Sequence, residues 1–206
     1  MAYFPFFMDL KGRTGLIVGG GRIALHKIEK LVPFEPVLEV CSPSVQPEIE
    51  AIDGLVLHRT AFREEYLHGK AFVIAATDDR RLNREVSALC REKNIPVNVV
   101  DDRDYCTFLF PSLVQKGSLT VGICTAGASP TAARWTKERI ADLIPERFDA
   151  VLEYLKQQRS TVKVCVREEA RRSAVFKELF AACMEKGGPL EPEETLEILH
   201  RYSTLQ

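Results

Sequence analysis

The amino-acid sequence predicts an α/β fold: a parallel β-sheet with helices on both faces, followed by a two-strand region and a helical C-terminal part. Three observations predict it. Strand-like and helix-like segments alternate along residues 14–101. The strand candidates are apolar on both faces, which is typical of buried parallel strands. A glycine-rich turn follows the first strand, and the alternation stops after residue 101.

The elements of the first half follow from apolar spacing and from turn residues. TGLIVG, residues 14–19, is the first strand candidate. A helix is predicted from Ile23 to Val32, because Pro33 ends the helical spacing. The elements predicted after it are strands at 37–41, 55–58, 71–77 and 95–101, with helices at 45–52 and 78–94.

The second half predicts a different arrangement. Residues 107–125 are interpreted as two strands joined by a polar turn at 115–118. Ser129 is the predicted N-cap of the next helix, with Pro130 as its first residue. The pattern is helical from residue 146 to about residue 186, GGPLEPEE (187–194) interrupts it, and a short terminal helix follows.

The composition is that of an ordinary soluble globular protein, with 46% hydrophobic and 28% charged residues among 206. Since 28 basic residues face 29 acidic ones, we expect no nucleic-acid partner. No run is long enough to span a membrane, and the N-terminus does not resemble a signal peptide. Six cysteines without a Cys-x-x-Cys pair, and four histidines without ligand spacing, predict no disulfide framework and no resident metal. We expect a cytoplasmic protein.

The glycine turn, LIVGGGRIALHK (16–27), fits the pattern G-x-G-x-x-A of Rossmann-type sheets with Gly19, Gly21 and Ala24. In that pattern the first glycine permits the tight turn, and the second lets the backbone approach a pyrophosphate. The small third residue lets the helix pack against the strand. A purely structural turn is the alternative, because a glycine motif alone is weak evidence. The position between a strand and a helix favours a dinucleotide.

The second strand lacks the acidic residue that would hold the adenine ribose, since it ends in Cys41-Ser42-Pro43-Ser44. Hydroxyl groups of Ser42 or Ser44, or backbone groups, would have to replace it. No arginine lies in this turn to bind a 2′-phosphate, which favours NAD over NADP as the cofactor.

Four stretches, in this order and spacing, resemble the precorrin-2 dehydrogenase/sirohydrochlorin ferrochelatase family, the NAD-binding module of siroheme synthase. They are LIVGGGRIALHK, VIAATDD, VNVVDD and FLFPSLVQKGSLTVGICTAGASPTAARWTKERI. The resemblance covers roughly residues 3–160, and the segment 98–139 is its most specific part. It implies NAD-dependent oxidation of precorrin-2 to sirohydrochlorin, followed in many members by insertion of Fe²⁺ as a substrate to give siroheme. It also implies a homodimer.

The resemblance also assigns residues and domains. The turn from Gly19 to Ile23, with Gly21 and Arg22, would contact NAD together with Pro43 and Ser44. Ala76 and Thr77 would line the nicotinamide side. The predicted domains are an NAD-binding Rossmann domain (1–112), a dimerisation and substrate region (113–145) and a helical C-terminal domain (146–206).

Asp101, in NVVD, matches the family's aspartate associated with catalysis. The placement suits the chemistry, because a proton leaves the macrocycle when the hydride does, and pyrrole nitrogens lose protons when a metal enters. Asp101 and Asp102 could instead simply begin a turn, as aspartates often do.

The substrate that the resemblance implies is a polycarboxylate, so cations and helix N–H groups are expected at its site. Thr125, Ser129 and Arg134 are the predicted substrate-binding residues, with Lys116, Lys137 and Arg139 as further candidates. A solvent-exposed helix face is the alternative for each cation. The chain departs from the family where Ala126-Gly127 replaces two adjacent glycines.

Two other functions stay open. The chain could be a dehydrogenase without chelatase activity, or a regulatory module that senses NAD without chemistry, because a glycine turn does not distinguish sensing from catalysis.

Overall fold

The structure is a computed structural model that describes residues 3–203. The chain divides into two compact units, of which the first ends at Phe110 and the second begins at Pro111. The three predicted domains remain a prediction.

The first unit contains a five-stranded sheet in the order β3-β2-β1-β4-β5. All four strand pairings are parallel. The strands are β1 (Thr14–Val18), β2 (Val37–Cys41), β3 (Val56–His58), β4 (Phe72–Ala75) and β5 (Val97–Val99), and the helices are α1 (Arg22–Leu31), α2 (Pro47–Glu50) and α3 (Arg80–Glu92). Each was predicted within a few residues of its bounds.

Both faces of this sheet are buried, because successive side chains of a strand point to opposite sides. Leu16 and Val18 of β1 pack in the cluster that contains Val86 of α3. Ile17, between them, packs in the cluster that contains Ala24 and Ile28 of α1. The predicted parallel sheet with helices on both faces is confirmed.

Helix α1 forms because its apolar residues recur at helical spacing. Ala24, Ile28 and Leu31 are its buried residues and lie on one face. The helix ends just before Pro33, which lies in a short 3₁₀ turn (Val32–Phe34).

The second unit begins with an antiparallel pair, β6 (Ser112–Lys116) and β7 (Leu119–Ile123). Gly117 in their turn has a φ of 54°, which suits glycine. Four helices follow: α4 (Pro130–Leu143), α5 (Phe148–Cys165), α6 (Glu169–Lys186) and α7 (Pro192–Tyr202). Ser129 accepts a hydrogen bond from the Ala132 N–H and caps α4, as predicted.

The helical segment predicted at residues 146–186 is divided into two helices, α5 and α6. The chain leaves helical geometry at Val166, which is extended and almost fully buried. Its side chain packs in the cluster formed by α5, α6 and α7, so the break between α5 and α6 places this valine in the core. Across the same cluster the Tyr154 hydroxyl lies 2.7 Å from Thr195 Oγ1 and links α5 to α7. No helix within residues 3–203 has the length and apolarity that a membrane span requires.

Candidate active site

The predicted glycine turn joins β1 to α1 at the carboxyl edge of the sheet. Gly19 has a φ of 122°, and a Cβ there would overlap the carbonyl oxygen of Ala76. A Cβ on Gly20 would overlap the carbonyl oxygen of Ser44. These two glycines therefore let the turn pack against the ends of the two neighbouring strands.

Gly21 differs from the two glycines before it. A Cβ on Gly21 would meet no described atom within 4 Å, and its φ of −92° suits any residue. It is the N-cap of α1, with no side-chain cap, and the first helical turn carries no acidic residue. The first N–H groups of a helix have no intrahelical partner and favour an anion. This open space in front of α1 fits a dinucleotide pyrophosphate, with Arg22 and Ile23 exposed beside it.

The turn after β2 lies against the glycine turn, which brings two groups of predicted cofactor residues together. The Gln46 N–H donates to the Gly20 carbonyl at 2.9 Å. Pro43 and Ser44 are exposed there, while Ser42 Oγ donates to the Ser44 carbonyl at 2.6 Å. Ser44 is therefore the serine whose hydroxyl faces solvent without a hydrogen bond to any described residue.

The end of β4 places Ala76 and Thr77 beside the glycine turn. The Ala76 N–H donates to the Val18 carbonyl at 2.8 Å. Thr77 is held by the buried Asn83 of α3: its hydroxyl and its N–H donate to Asn83 Oδ1 at 2.7 Å and 3.2 Å, and Asn83 Nδ2 donates to the Thr77 carbonyl at 2.9 Å. Asn83 fixes the backbone at this edge.

Asn83 was not predicted from the sequence, although a signal existed. It lies three and seven residues before Val86 and Cys90, on the buried face of α3. A polar side chain at a buried helical position needs a hydrogen-bond partner. The strand end before the helix is the nearest place for one.

Asp101 follows β5 at the same edge of the sheet. The Val100 N–H donates to the Ala75 carbonyl at 3.0 Å, which sets Asp101 next to the end of β4. Asp101 has a φ of 57°, a left-handed conformation that costs a non-glycine residue about 1–2 kcal/mol. Its carboxylate is exposed and makes no hydrogen bond or ion pair with any residue the structure describes. A strained, unpaired carboxylate at a ligand edge is typical of functional sites.

Two buried side chains hold the Asp101 turn from behind. Cys106 Sγ lies 3.1 Å from the Val99 nitrogen, which donates to it, and 3.2 Å from the Val99 carbonyl. Asn98 Nδ2 donates to the Phe108 carbonyl at 3.0 Å. Burial raises the pKa of the Cys106 thiol, so it acts as a neutral hydrogen-bonding group. Neither contact was predicted from the sequence.

A surface ion pair braces the other side of this turn. Arg84 of α3 donates to Asp102 Oδ2 through two nitrogens, at 3.2 Å and 3.3 Å. Asp102 is therefore engaged with α3, whereas Asp101 is left for other partners.

The three predicted substrate residues lie in the second unit, before and within α4. Thr125 Oγ1 donates to the Ser129 carbonyl at 3.1 Å, and Ser129 Oγ accepts from the Ala132 N–H at 3.1 Å. Both hydroxyls thus shape the start of α4, and Arg134 is exposed on it. Their contact with a substrate remains a prediction.

Lys116 has a structural partner instead of an open position. Its ammonium donates to the carbonyls of Ala141 at 3.4 Å and Ile144 at 2.7 Å, at the C-terminal end of α4. A lysine at this end satisfies carbonyls that have no helical partner. Arg139 lies over the ring of Trp135, 4.2 Å from its centroid.

Within residues 3–203 no cluster of three histidine, cysteine or acidic residues could hold a metal ion. The parallel sheet, the glycine turn before an uncapped helix and the polar carboxyl edge define a dinucleotide-binding α/β protein.

Comparisons with known proteins agree with this class. A family profile described as "Putative NAD(P)-binding" matches residues 6–112. Siroheme synthase of Nitrosomonas europaea is 38% identical over 177 residues, which cover 84% of this chain and 37% of that protein. Siroheme synthase of Photorhabdus laumondii is 34% identical over 213 aligned positions, which cover 100% of this chain and 45% of that protein. The solved structure of "SirC, precorrin-2 dehydrogenase" is 25% identical, with a TM-score of 0.71, and the match covers 97% of this chain and 100% of that one.

The chain belongs to this NAD(P)-binding family. Its similarity to the siroheme synthases and to SirC supports the predicted resemblance to the precorrin-2 dehydrogenase family. The predicted NAD cofactor is confirmed at this level. The chain spans less than half the length of the siroheme synthases it matches.

Proposed function

We propose that this protein oxidises precorrin-2 to sirohydrochlorin with NAD⁺ as the hydride acceptor, and that Asp101 is its acid–base group. The observation that carries the proposal is the position of Asp101. This exposed, strained carboxylate lies at the carboxyl edge, beside the end of β4, which in turn contacts the glycine turn. Open α/β sheets bind their ligands at this edge.

The reaction removes one hydride and one proton from the macrocycle. Bound NAD⁺ supplies the hydride acceptor. The Asp101 carboxylate accepts the proton, and Cys106 and Asn98 hold the backbone on either side of the turn that carries it. Gly21 and the N-terminus of α1 would bind the pyrophosphate, while Ala76 and Thr77, whose backbone is held by β1 and Asn83, would line the nicotinamide side.

Insertion of Fe²⁺ into sirohydrochlorin is the proposed second activity. Two pyrrole N–H protons leave as the metal enters. The same carboxylate, after releasing the proton of the oxidation to solvent, can accept one of them, and the other passes to solvent. Iron is a substrate in this scheme. A dehydrogenase without chelatase activity is the alternative, and a module that only senses NAD is the other.

The first experiment follows the absorbance of purified protein with precorrin-2 under anaerobic conditions, with and without NAD⁺. We expect the sirohydrochlorin spectrum to appear only with NAD⁺. Asp101→Asn should lower turnover by about 10²–10⁴-fold, the range that a positioned acid–base group contributes. Asp104→Asn, an exposed change in the next turn of the chain, serves as the matched control.

Three results are informative. NAD⁺ binding without any spectral change would favour the sensing module. An unimpaired Asp101→Asn enzyme would contradict the assigned role. Adding Fe²⁺ to sirohydrochlorin in the same cuvette distinguishes a bifunctional enzyme from a dehydrogenase without chelatase activity, because only a chelatase accelerates the appearance of siroheme.

We also propose a homodimer built through the second unit, in a cytoplasmic protein. Helix α4 buries none of its residues within the described chain. Trp135 is 57% exposed and Leu143 80% exposed, and large apolar side chains in such positions favour a protein contact. Sedimentation equilibrium tests this: we expect a dimer that Leu143→Lys weakens, and a monomeric wild-type protein would refute it.

Six free cysteines support the proposed cytoplasmic location, because the cytoplasm is a reducing compartment.

A further inference from the structure

A half-buried lysine on α1 has no counter-ion of its own. The ammonium of Lys27 lies 4.1 Å from the centroid of the Phe110 ring. Across residues 3–203 it forms no ion pair and no hydrogen bond. Lys70, the most buried ion-paired lysine, differs in this respect, because its ammonium lies 2.7 Å from Glu39 Oε1.

The surroundings of Lys27 disfavour an unpaired cation. Burial lowers the pKa of Lys27, and the neighbouring Lys30 lowers it further. Electrostatic interactions with Cys106 and Asp101 act in the opposite direction but do not restore the pKa of Lys27 to its ordinary value. Lys27 is therefore within electrostatic range of Asp101, and an additional anion there would compensate its desolvation.

The packing of α1 relates Lys27 to the segment that carries Asp101. Ile28, which follows Lys27, belongs to the buried cluster on the α1 face. Val100, which precedes Asp101, packs against that cluster, as does Phe110. The Lys27 ammonium and the Phe110 ring thus lie on the α1 face, and Val100 brings the backbone that leads into Asp101 to the same face.

Lys27 is also placed away from the pyrophosphate position. It lies five positions after Arg22, the first residue of α1, and at about 1.5 Å per residue this is about 7.5 Å along the helix axis. Ile23, four residues before Lys27, lies on the same helix face and is 41% exposed. This face leads from the glycine turn past Ile23 to Lys27.

We propose that Lys27 is a substrate-binding residue whose ammonium pairs with one carboxylate of the tetrapyrrole beside Asp101. The proposal rests on the function proposed above, in which the substrate is a polycarboxylate. The Phe110 ring offers a flat apolar surface next to the charge and holds the Lys27 ammonium by a cation–π contact. A fixed cation at this point selects for acidic side chains on the macrocycle and orients its edge toward Asp101.

The test compares Lys27→Met, which retains the apolar stem, with Lys27→Arg, which retains the charge. Lys30→Met is the matched control, since Lys30 is an exposed lysine one turn further along α1. Steady-state kinetics with precorrin-2 and NAD⁺ give both KM values and kcat. Anaerobic titration with sirohydrochlorin, followed by absorbance, gives a Kd that does not depend on turnover.

We expect Lys27→Met to raise the KM for precorrin-2 and the Kd for sirohydrochlorin about tenfold, as loss of one charge-assisted contact does. The KM for NAD⁺ and the melting temperature should stay unchanged, and Lys27→Arg should recover most of the affinity. Lys30→Met should behave as wild type.

Several outcomes overturn the proposal. These are an unchanged Kd in Lys27→Met, an equal loss in Lys30→Met, or a change confined to the KM for NAD⁺. A wild-type protein that binds sirohydrochlorin but does not oxidise precorrin-2 would refute the proposed dehydrogenase while leaving the Lys27 comparison decisive. A wild-type protein that binds no sirohydrochlorin would refute both.

Discussion

Alanine substitutions at Gly19 and Gly21 should separate folding from cofactor binding within a single turn. At Gly19, a φ of 122° is accessible in practice only to glycine, and forcing another residue there costs about 1–3 kcal/mol. The added Cβ would also lie 2.7 Å from the carbonyl carbon of Ala76, and overpacking of this kind costs about 1–3 kcal/mol. Gly19→Ala should therefore lose about 2–6 kcal/mol of stability, out of roughly 5–15 for a typical domain.

Gly21→Ala should behave in the opposite way. Its φ of −92° tolerates alanine and its Cβ points into open space, so stability should change by only about 1 kcal/mol, the cost of a poorer N-cap. The methyl group would occupy the place where a pyrophosphate approaches the helix, and NAD⁺ affinity should fall at least about tenfold. Urea denaturation measures the stability, and calorimetric titration with NAD⁺ measures the affinity.

Two results would contradict these expectations. A Gly19→Ala protein as stable as wild type would mean that the turn does not need its left-handed conformation or its contact with β4. A Gly21→Ala protein with wild-type NAD⁺ affinity would mean that the pyrophosphate does not approach α1.

Three further predictions concern stability and use chemical denaturation. Burial raises the pKa of Glu39, but hydrogen bonds from Lys70 and His58, of which that from Lys70 is the larger, hold the pKa below its ordinary value of 4.5. The ionised Glu39 therefore stabilises the fold above pH 4.5, and this stabilisation is lost as the pH falls through the folded-state pKa. Glu39→Gln should cost about 1–3 kcal/mol at neutral pH and flatten that acid dependence, and an unaltered pH profile would contradict this. Tyr154→Phe should cost about 0.5–1.5 kcal/mol by removing the buried hydrogen bond to Thr195, and a neutral change would show that this bond adds nothing. Ala126→Gly should stabilise by up to about 1 kcal/mol, since Ala126 has a φ of 51°, and a clear loss of stability would contradict the strain.

The sheet could be predicted from the sequence because the residues that mark its strands and turns are neighbours in the chain. Strands β1 and β4 are apolar runs bounded by turn residues, and the glycine turn lies between a strand and a helix. Ser129 followed by Pro130 also marks the start of α4 through chemistry that is visible in neighbouring residues.

The contacts that support the site were not predicted in the same way, because they join residues of different secondary-structure elements. Asn83 of α3 bonds to Thr77, six residues earlier, and Cys106 bonds to Val99 at the end of β5. Lys116 was a substrate candidate by charge alone, but 28 residues separate it from Ile144, whose carbonyl it binds. Charge and residue type indicate what a side chain can do, whereas its partner depends on the tertiary fold.

Asp101 was predicted from a sequence motif, but its left-handed conformation is visible only in the fold. Substituting it tests whether this backbone strain is maintained for function. The left-handed conformation costs a non-glycine residue about 1–2 kcal/mol, and glycine is the residue that adopts it without penalty. If the carboxylate is retained for chemistry, Asp101→Gly should abolish turnover yet be more stable than Asp101→Ala by about 1–2 kcal/mol, less the greater chain entropy of glycine. Urea denaturation of both variants, beside the precorrin-2 assay, measures this trade. An Asp101→Gly enzyme that is both active and no more stable than Asp101→Ala would show that neither the strain nor the carboxylate matters.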